Sequence, residues 1–261
     1  MICTLREFLA SIEPEHSYRL FRYTDEVFKG RRCYSRIVLK KKCGGIRILQ
    51  APEPKLKRLQ RKLLPYLSHA SISPCAAAYV EGRTLLDHAR HHVGAKIVVK
   101  LDIEDFFDSI TFPKVFHAVD EALKRSPLVE PAGEISWFIA KACTLDHRLP
   151  QGAPTSPMLS NMVFFPLDCM ISSYCSERRI RYTRYSDDMI FSGDFQPSGL
   201  IRFIRKLLRK NGFVLNEDKI VIAGQGRQQK ITGVVVNRRP QAERKYRREI
   251  RQDLYYIGKY G

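Results

Sequence analysis

Apolar positions along the chain follow two periods, and the changes between them mark out the elements. Leu56, Leu59, Leu63, Leu64 and Leu67 recur at helical spacing, with Lys and Arg on the other face, which predicts a helix from Lys55 onward. Ile201, Ile204, Leu207 and Leu208 form a second such stripe, opposite five basic residues, over 198–210. Further helices are expected at 113–124 and 135–143. The run AKIVVKLDI at 95–103 is apolar and β-branched, as a buried strand requires, and it ends in acid. Short strands are expected at 35–39 and 47–51, joined by a turn at Gly44 and Gly45. Two more strands flank 186–188, and KITGVVVN at 230–237 reads as a single strand. Helices and strands therefore alternate, which gives an α/β or α+β layered domain.

Composition narrows this picture. With 261 residues, 44% hydrophobic, and no repeat or low-complexity linker, the chain reads as one unit of catalytic size rather than a disordered segment. No apolar stretch approaches the ~18–20 residues that span a bilayer. The first residues break every apolar run with Arg or Glu, so no secretory signal is expected. Seven cysteines without a CxxC pair argue against a zinc ribbon or a disulfide framework, and for reduced thiols in a cytoplasmic protein.

Charge adds a partner class. The formal net charge is +18, and basic residues crowd 29–32, 40–42, 55–62 and 238–251. Any one block could be a solvated face; two separated concentrations around a poorly charged middle suit the walls of a cleft that holds a polyanion, most simply nucleic acid.

Three carboxylates carry the candidate chemistry. Asp102 closes the apolar strand, and Asp187 and Asp188 sit side by side in YSDD at 185–188, with Met189, Ile190 and Phe191 behind them. Adjacent acids between apolar strands repel each other and resist burial. A lone Asp-Asp pair often does no more than cap a hairpin. Paired with an acid-ended strand in a basic chain, it suits hard cations, which take carboxylate ligands in phosphoryl transfer.

These segments resemble the motifs of reverse transcriptases. YSDD is similar to the family's YxDD, KLDIEDFFDSI at 100–110 to its first catalytic motif, and LPQGAPTSPMLSN at 149–161 to the motif between them. GFVLNEDKI at 212–220 resembles the following lysine-bearing motif, and GGIRILQAPEPKLKRLQR at 44–61 the fingers. The resemblance implies an α+β, right-hand polymerase fold: fingers over 1–95 with part of 111–150, a palm with a ferredoxin-like sheet over 96–240, and a thumb from 241. A helix at 245–256 would open that thumb, which is then either naturally short or truncated at Gly261. It also implies roles. Asp102, Asp187, Asp188 and the Ile103 carbonyl would hold two Mg²⁺ ions; Phe107 would be the steric gate that selects dNTPs, with Phe106 in the core. Lys42 and Arg47 would contact the triphosphate, and Gln151 and Gly152 would border the incoming nucleotide. Lys219 is either a general acid for pyrophosphate or a structural lysine at an element end.

Within the family the chain is most similar to retron enzymes, which carry NAxxH before the first aspartate and VTG after the lysine motif. Here those places hold HARHH at 88–92 and Ile231-Thr232-Gly233, each one substitution away. His88 and His92 are then either ordinary histidines on a helix or RNA contacts, as are Ile231, Thr232 and Gly233 by resemblance. Arg244, Arg247 and Arg248 are candidates for reading the RNA. The implied partners are a structured noncoding RNA that serves as template and primer, its single-stranded DNA product, dNTPs, and a separately encoded effector in antiphage defence. The alternatives are a reverse transcriptase of another branch (intron-like, CRISPR-associated or other defence type) and a catalytically inactive RNA-binding scaffold.

Overall fold

The computed structural model describes residues 2, 4–15, 17–28, 33–40, 46–130 and 133–261. In chain order, α1 (Leu5–Ile12) and α2 (Ser17–Phe28) precede β1 (Tyr34–Lys40) and β2 (Ile46–Pro52). Helices α3 (Pro54–Leu67) and α4 (Leu85–Arg90) lead to β3 (Ile97–Glu104), and α5 (Phe112–Leu123), α6 (Gly133–Cys143) and α7 (Ser156–Glu177) follow. Then come β4 (Arg181–Tyr185), β5 (Asp188–Gly193), α8 (Pro197–Lys210), β6 (Val214–Leu215), a 3-10 turn (Glu217–Lys219) and β7 (Val221–Gly224). The chain continues through β8 (Lys230–Ile231), β9 (Val234–Val235), β10 (Gln241–Ala242) and α9 (Arg244–Tyr260). The mixture of helices with antiparallel sheets is α+β. Among the described residues no helix is long and apolar enough to cross a membrane.

Two compact units are built from interleaved stretches: Met1–Ser73 with Asp105–Pro166, and Pro74–Glu104 with Leu167–Gly261. In the first, α1 starts at a capping box in which Thr4 and Glu7 each accept the other's backbone N–H. Its core gathers the apolar stripes of α1, α3, α5 and α6: Phe8, Leu56, Leu63, Val115, Val119, Phe138 and Ile139 are all buried. Phe8 meets Phe138 edge to face at 5.9 Å. The hairpin β1–β2 pairs antiparallel from Tyr34 opposite Pro52 to Lys40 opposite Ile46.

The second unit is organised around β3. Its neighbours are β5, paired from Ile97 opposite Gly193 to Asp102 opposite Asp188, and on the other edge β6 and β7 in succession. With β4 beyond β5, all pairings in this sheet are antiparallel. Val98, Val99, Leu101 and Ile103 are buried, so both faces of β3 contribute buried apolar residues, which accounts for an apolar run that only Lys100 and Asp102 interrupt. Helix α8 buries Leu200, Ile204 and Leu208 and leaves its basic face outside.

One expected strand is two. The segment 230–237 folds back on itself: Ile231 pairs with Val234, and the turn residues Thr232 (φ +43°) and Gly233 (φ +90°) are both left-handed. Such a pair is what a two-residue hairpin turn demands, and Thr-Gly supplies it where an extended reading follows only the flanking β-branched residues. The expected turn at Gly44 and Gly45 lies outside the described residues.

Candidate active site

The strand pairing brings the three carboxylates together. Asp102 is at the C-terminal end of β3, directly opposite Asp188 at the start of β5. Tyr185 pairs with Asp188, so Ser186 and Asp187 form a two-residue turn, and Ser186 takes a left-handed φ of +60°. The turn is locked to β3 by the Ile103 N–H, which donates to the Asp187 carbonyl at 3.1 Å. On the opposite edge the Asn216 N–H donates to the Asp102 carbonyl at 2.9 Å, which sets the 3-10 turn beside the same acid.

Electrostatics at the site follow from this crowding. Burial, then the charge of Asp188, push the Asp187 carboxyl above its ordinary pKa. Burial likewise raises Asp188, against the hydrogen bond from Lys100. Two lysines answer the acids: Lys219 Nζ donates to Asp102 Oδ1 at 2.9 Å, and Lys100 Nζ to Asp188 Oδ2 at 2.8 Å. The hydrogen bond to Asp102 raises the Lys219 pKa, so Lys219 is a firmly charged ammonium near neutrality. Among the described residues no group of three or more His, Cys, Asp or Glu is arranged as a metal centre, and the lysines hold two of the three acids instead. By donor chemistry the acids still fit a hard divalent cation: Asp102 and Asp188 face each other across the strand pair with Asp187 in the adjoining turn, and burial with neighbouring acids raises Asp187 and Asp188, which a cation would relieve.

Comparison with known proteins identifies what this geometry belongs to. Residues 38–236 match the family model described as reverse transcriptase (RNA-dependent DNA polymerase). The chain belongs to the reverse transcriptase family. Retron Mx65 reverse transcriptase of Myxococcus xanthus is 34% identical over 239 residues, covering 86% of this chain and 56% of that protein. Retron Ec86 reverse transcriptase of Escherichia coli is 34% identical over 217 residues, covering 81% and 65%. The chain thus spans little more than half to under two thirds of the length of these relatives. Among solved structures, a telomerase from Candida albicans superposes with a TM-score of 0.56 at 10% identity, over 81% of this chain and 45% of that one. At such low identity the likeness is one of fold.

The other reverse transcriptase motifs are placed as follows. Phe106 is buried and meets Phe164 at 5.7 Å, as a core residue should, while its neighbour Phe107 is half-buried. The Gln151 carbonyl accepts the Gln50 N–H at 2.7 Å. Gly152 next to it has φ +123°, and a Cβ there would stand 3.0 Å from the Gln50 carbonyl oxygen, so only glycine fits. Lys42 lies outside the described residues, and Arg47 is on β2 with its side chain undescribed. Ile231 is buried, and Thr232 and Gly233 form the β8–β9 turn. Arg244, Arg247 and Arg248 are exposed on α9, which buries none of its residues.

His88 and His92 differ from the expectation of RNA contact. Both are buried, His92 completely, and both join a hydrogen-bonded network inside the second unit. Ser192 Oγ lies 2.7 Å from His92 Nδ1, Thr183 Oγ1 lies 2.6 Å from His92 Nε2, and His88 Nδ1 lies 2.9 Å from the same Thr183. The network ties α4 and the turn after it to β4 and β5, so neither ring has surface to offer RNA. Burial holds their pKa values down, to about 4 for His88 and about 3 for His92.

Lys100, Asp168 and Arg184 were given no role in the sequence reading. Lys100 was legible: it stands two residues before Asp102, on the same face of a strand. Asp168 was the one acid within the apolar run MVFFPLDCMI of α7.

Proposed function

We propose that this chain is an RNA-directed DNA polymerase of retron type, copying part of a structured noncoding RNA into single-stranded DNA. The observation that carries the reading is Asp102 facing Asp188 across β3 and β5 with Asp187 in the intervening turn, in a chain of the reverse transcriptase family. We read the first unit as fingers and the second as palm with the first thumb helix, which keeps 111–150 with the fingers, moves 74–95 to the palm, and moves 105–110 and 151–166 from the palm to the fingers.

In the reaction the primer's 3′-oxygen bonds to the α-phosphorus of a dNTP while the bond to pyrophosphate breaks. Asp102, Asp187 and Asp188 would hold Mg²⁺, two ions in the family pattern, which supplies charge neutralisation at the phosphates and acidifies the primer hydroxyl. The raised Asp187 and Asp188 carboxyls support that reading, since a bound cation would relieve them. Lys219, charged and beside Asp102, would donate a proton to the departing pyrophosphate. Phe107, half-buried within the first motif, is read as the sugar gate. The relatives' names and the net charge of +18 support an RNA partner; family context extends the reading to antiphage defence with a separate effector, in the cytoplasm.

Asp187→Asn or Asp188→Asn should lower dNTP incorporation on an RNA template by at least ~10³-fold while the protein stays folded. Nucleic acid that copurifies with the wild type, sequenced after separate RNase and DNase treatment, should be one defined RNA–DNA hybrid. RNA alone points to a scaffold, whereas full activity in the Asn variants would take Asp187 and Asp188 out of the catalytic role.

A further inference from the structure

We infer that Asp168 and Arg184 are positioning residues that hold the turn carrying Asp187, through a hydrogen bond from Arg184 to the carbonyl of Ser186. The inference rests on the polymerase reading for its functional consequence and on geometry for everything else.

Both side chains are completely buried. Arg184 Nε donates to Asp168 Oδ1 at 3.0 Å and Oδ2 at 3.2 Å, and Arg184 Nη2 donates to Oδ2 at 2.7 Å, a two-pronged pair. Asp168 Oδ1 also accepts the Tyr182 hydroxyl at 2.7 Å. The backbone of Arg184 is fixed as well: its N–H donates to the Cys75 carbonyl at 2.8 Å and its carbonyl accepts from the Ala77 N–H at 2.7 Å. With guanidinium and backbone both immobilised, Nη1 donates to the Ser186 carbonyl at 3.0 Å.

That carbonyl belongs to the residue before Asp187, and its residue is the one in the turn with a left-handed φ. A serine does not take this conformation freely, so the surroundings must select it. Tyr79 Oη, donating to Ser186 Oγ at 3.3 Å, assists from the side chain. A fully buried ion pair is, moreover, poorly explained by stability, since well-packed apolar residues of similar volume usually serve as well or better. What an apolar pair cannot supply is the N–H to Ser186. The clamp runs from α7 through β4 to the turn, and so fixes the direction in which Asp187 and Asp188 present their oxygens.

The test separates packing from positioning. Asp168→Leu with Arg184→Met replaces the pair by apolar groups, and Arg184→Lys keeps the charge while losing the fork. Thermal melting by circular dichroism reports folding; Mn²⁺ binding, followed by the electron paramagnetic resonance of free Mn²⁺, reports the carboxylates without any turnover. Folded variants should bind Mn²⁺ at least ~10-fold more weakly and lose at least ~10-fold in kcat, with the KM for dNTP changed much less. Wild-type Mn²⁺ affinity and kcat in a folded variant would overturn the clamp. Should both larger changes unfold, Tyr182→Phe removes only the hydroxyl on Asp168; a two- to threefold loss of Mn²⁺ affinity supports the inference and no change refutes it. A wild type that binds Mn²⁺ yet extends no primer counts against the polymerase reading and leaves the clamp standing.

Discussion

Asp187 and His92 belong to the same unit yet respond to pH in opposite senses. Burial and the neighbouring acid raise Asp187, so the folded chain holds that proton more tightly than the unfolded one. Its favourable contribution is therefore present below the ordinary carboxylate pKa and is lost as pH rises through the raised one, unless a cation is bound. Buried His92 is pushed down to about 3 and His88 to about 4, so the unfolded chain takes up protons that the folded one refuses. Their contribution is complete above the unfolded value of about 6.5 and drains away as pH falls toward 4 and 3. His92→Gln removes one such group. Denaturant melts of this variant should show lower stability at pH 7.5, where two short hydrogen bonds are removed, and a shallower decline between pH 6.5 and 4.5 than the wild type. Equal slopes in that window would mean that His92 is not buried as a neutral ring.

Elements that announced themselves in the sequence were those with one clear period. The stripe of α8 and the apolar run of β3 are matched by Pro197–Lys210 and Ile97–Glu104, because one buries a single face and the other both. The 22-residue α7 gave no such signal: it carries apolar residues around much of its girth and a proline at Pro166, which ordinarily argues against a helix. The pair of acids was legible as a motif, whereas the Arg184 fork behind it was not, since only pairing in three dimensions joins residue 168 to 184. Small two-residue strands such as β8 and β9 were hidden by their turn. Gly152, bordered by the Gln50 carbonyl at 3.0 Å from a would-be Cβ, should not accept a side chain. Gly152→Ala is expected to cost about 1–3 kcal/mol of stability through its left-handed backbone and the close carbonyl. Thermal melting measures it directly, and an unchanged Tm would show that the 151–152 turn is free to relax.

A net charge of +18 is far more than solubility requires, and its distribution implies work on a polyanion. Polymerase folds grip duplex backbones through phosphates and the 2′-hydroxyls of A-form grooves, with little sequence preference, so on the retron reading proposed above the choice of one transcript would need a further surface. Helix α9 supplies an eligible one. Arg244, Lys245, Arg248 and Arg251 lie together on its exposed surface, and because the helix buries no residue, its charges can be reversed without disturbing a core. Arg244, Arg247 and Arg248 changed together to Glu should leave the melting temperature within a few degrees of the wild type. Binding to the cognate RNA should weaken, and the slope of log K against log salt should flatten by roughly one unit for each phosphate that the variant no longer neutralises. Extension of a generic, pre-annealed primer–template at saturating concentration should fall less, since the carboxylates on β3 and β5 are untouched. Filter binding across a salt series measures both the affinity and the slope. Unchanged values of both would place recognition on another basic face, and the 55–62 block of α3, whose lysines and arginines face outward, is then the next surface to reverse.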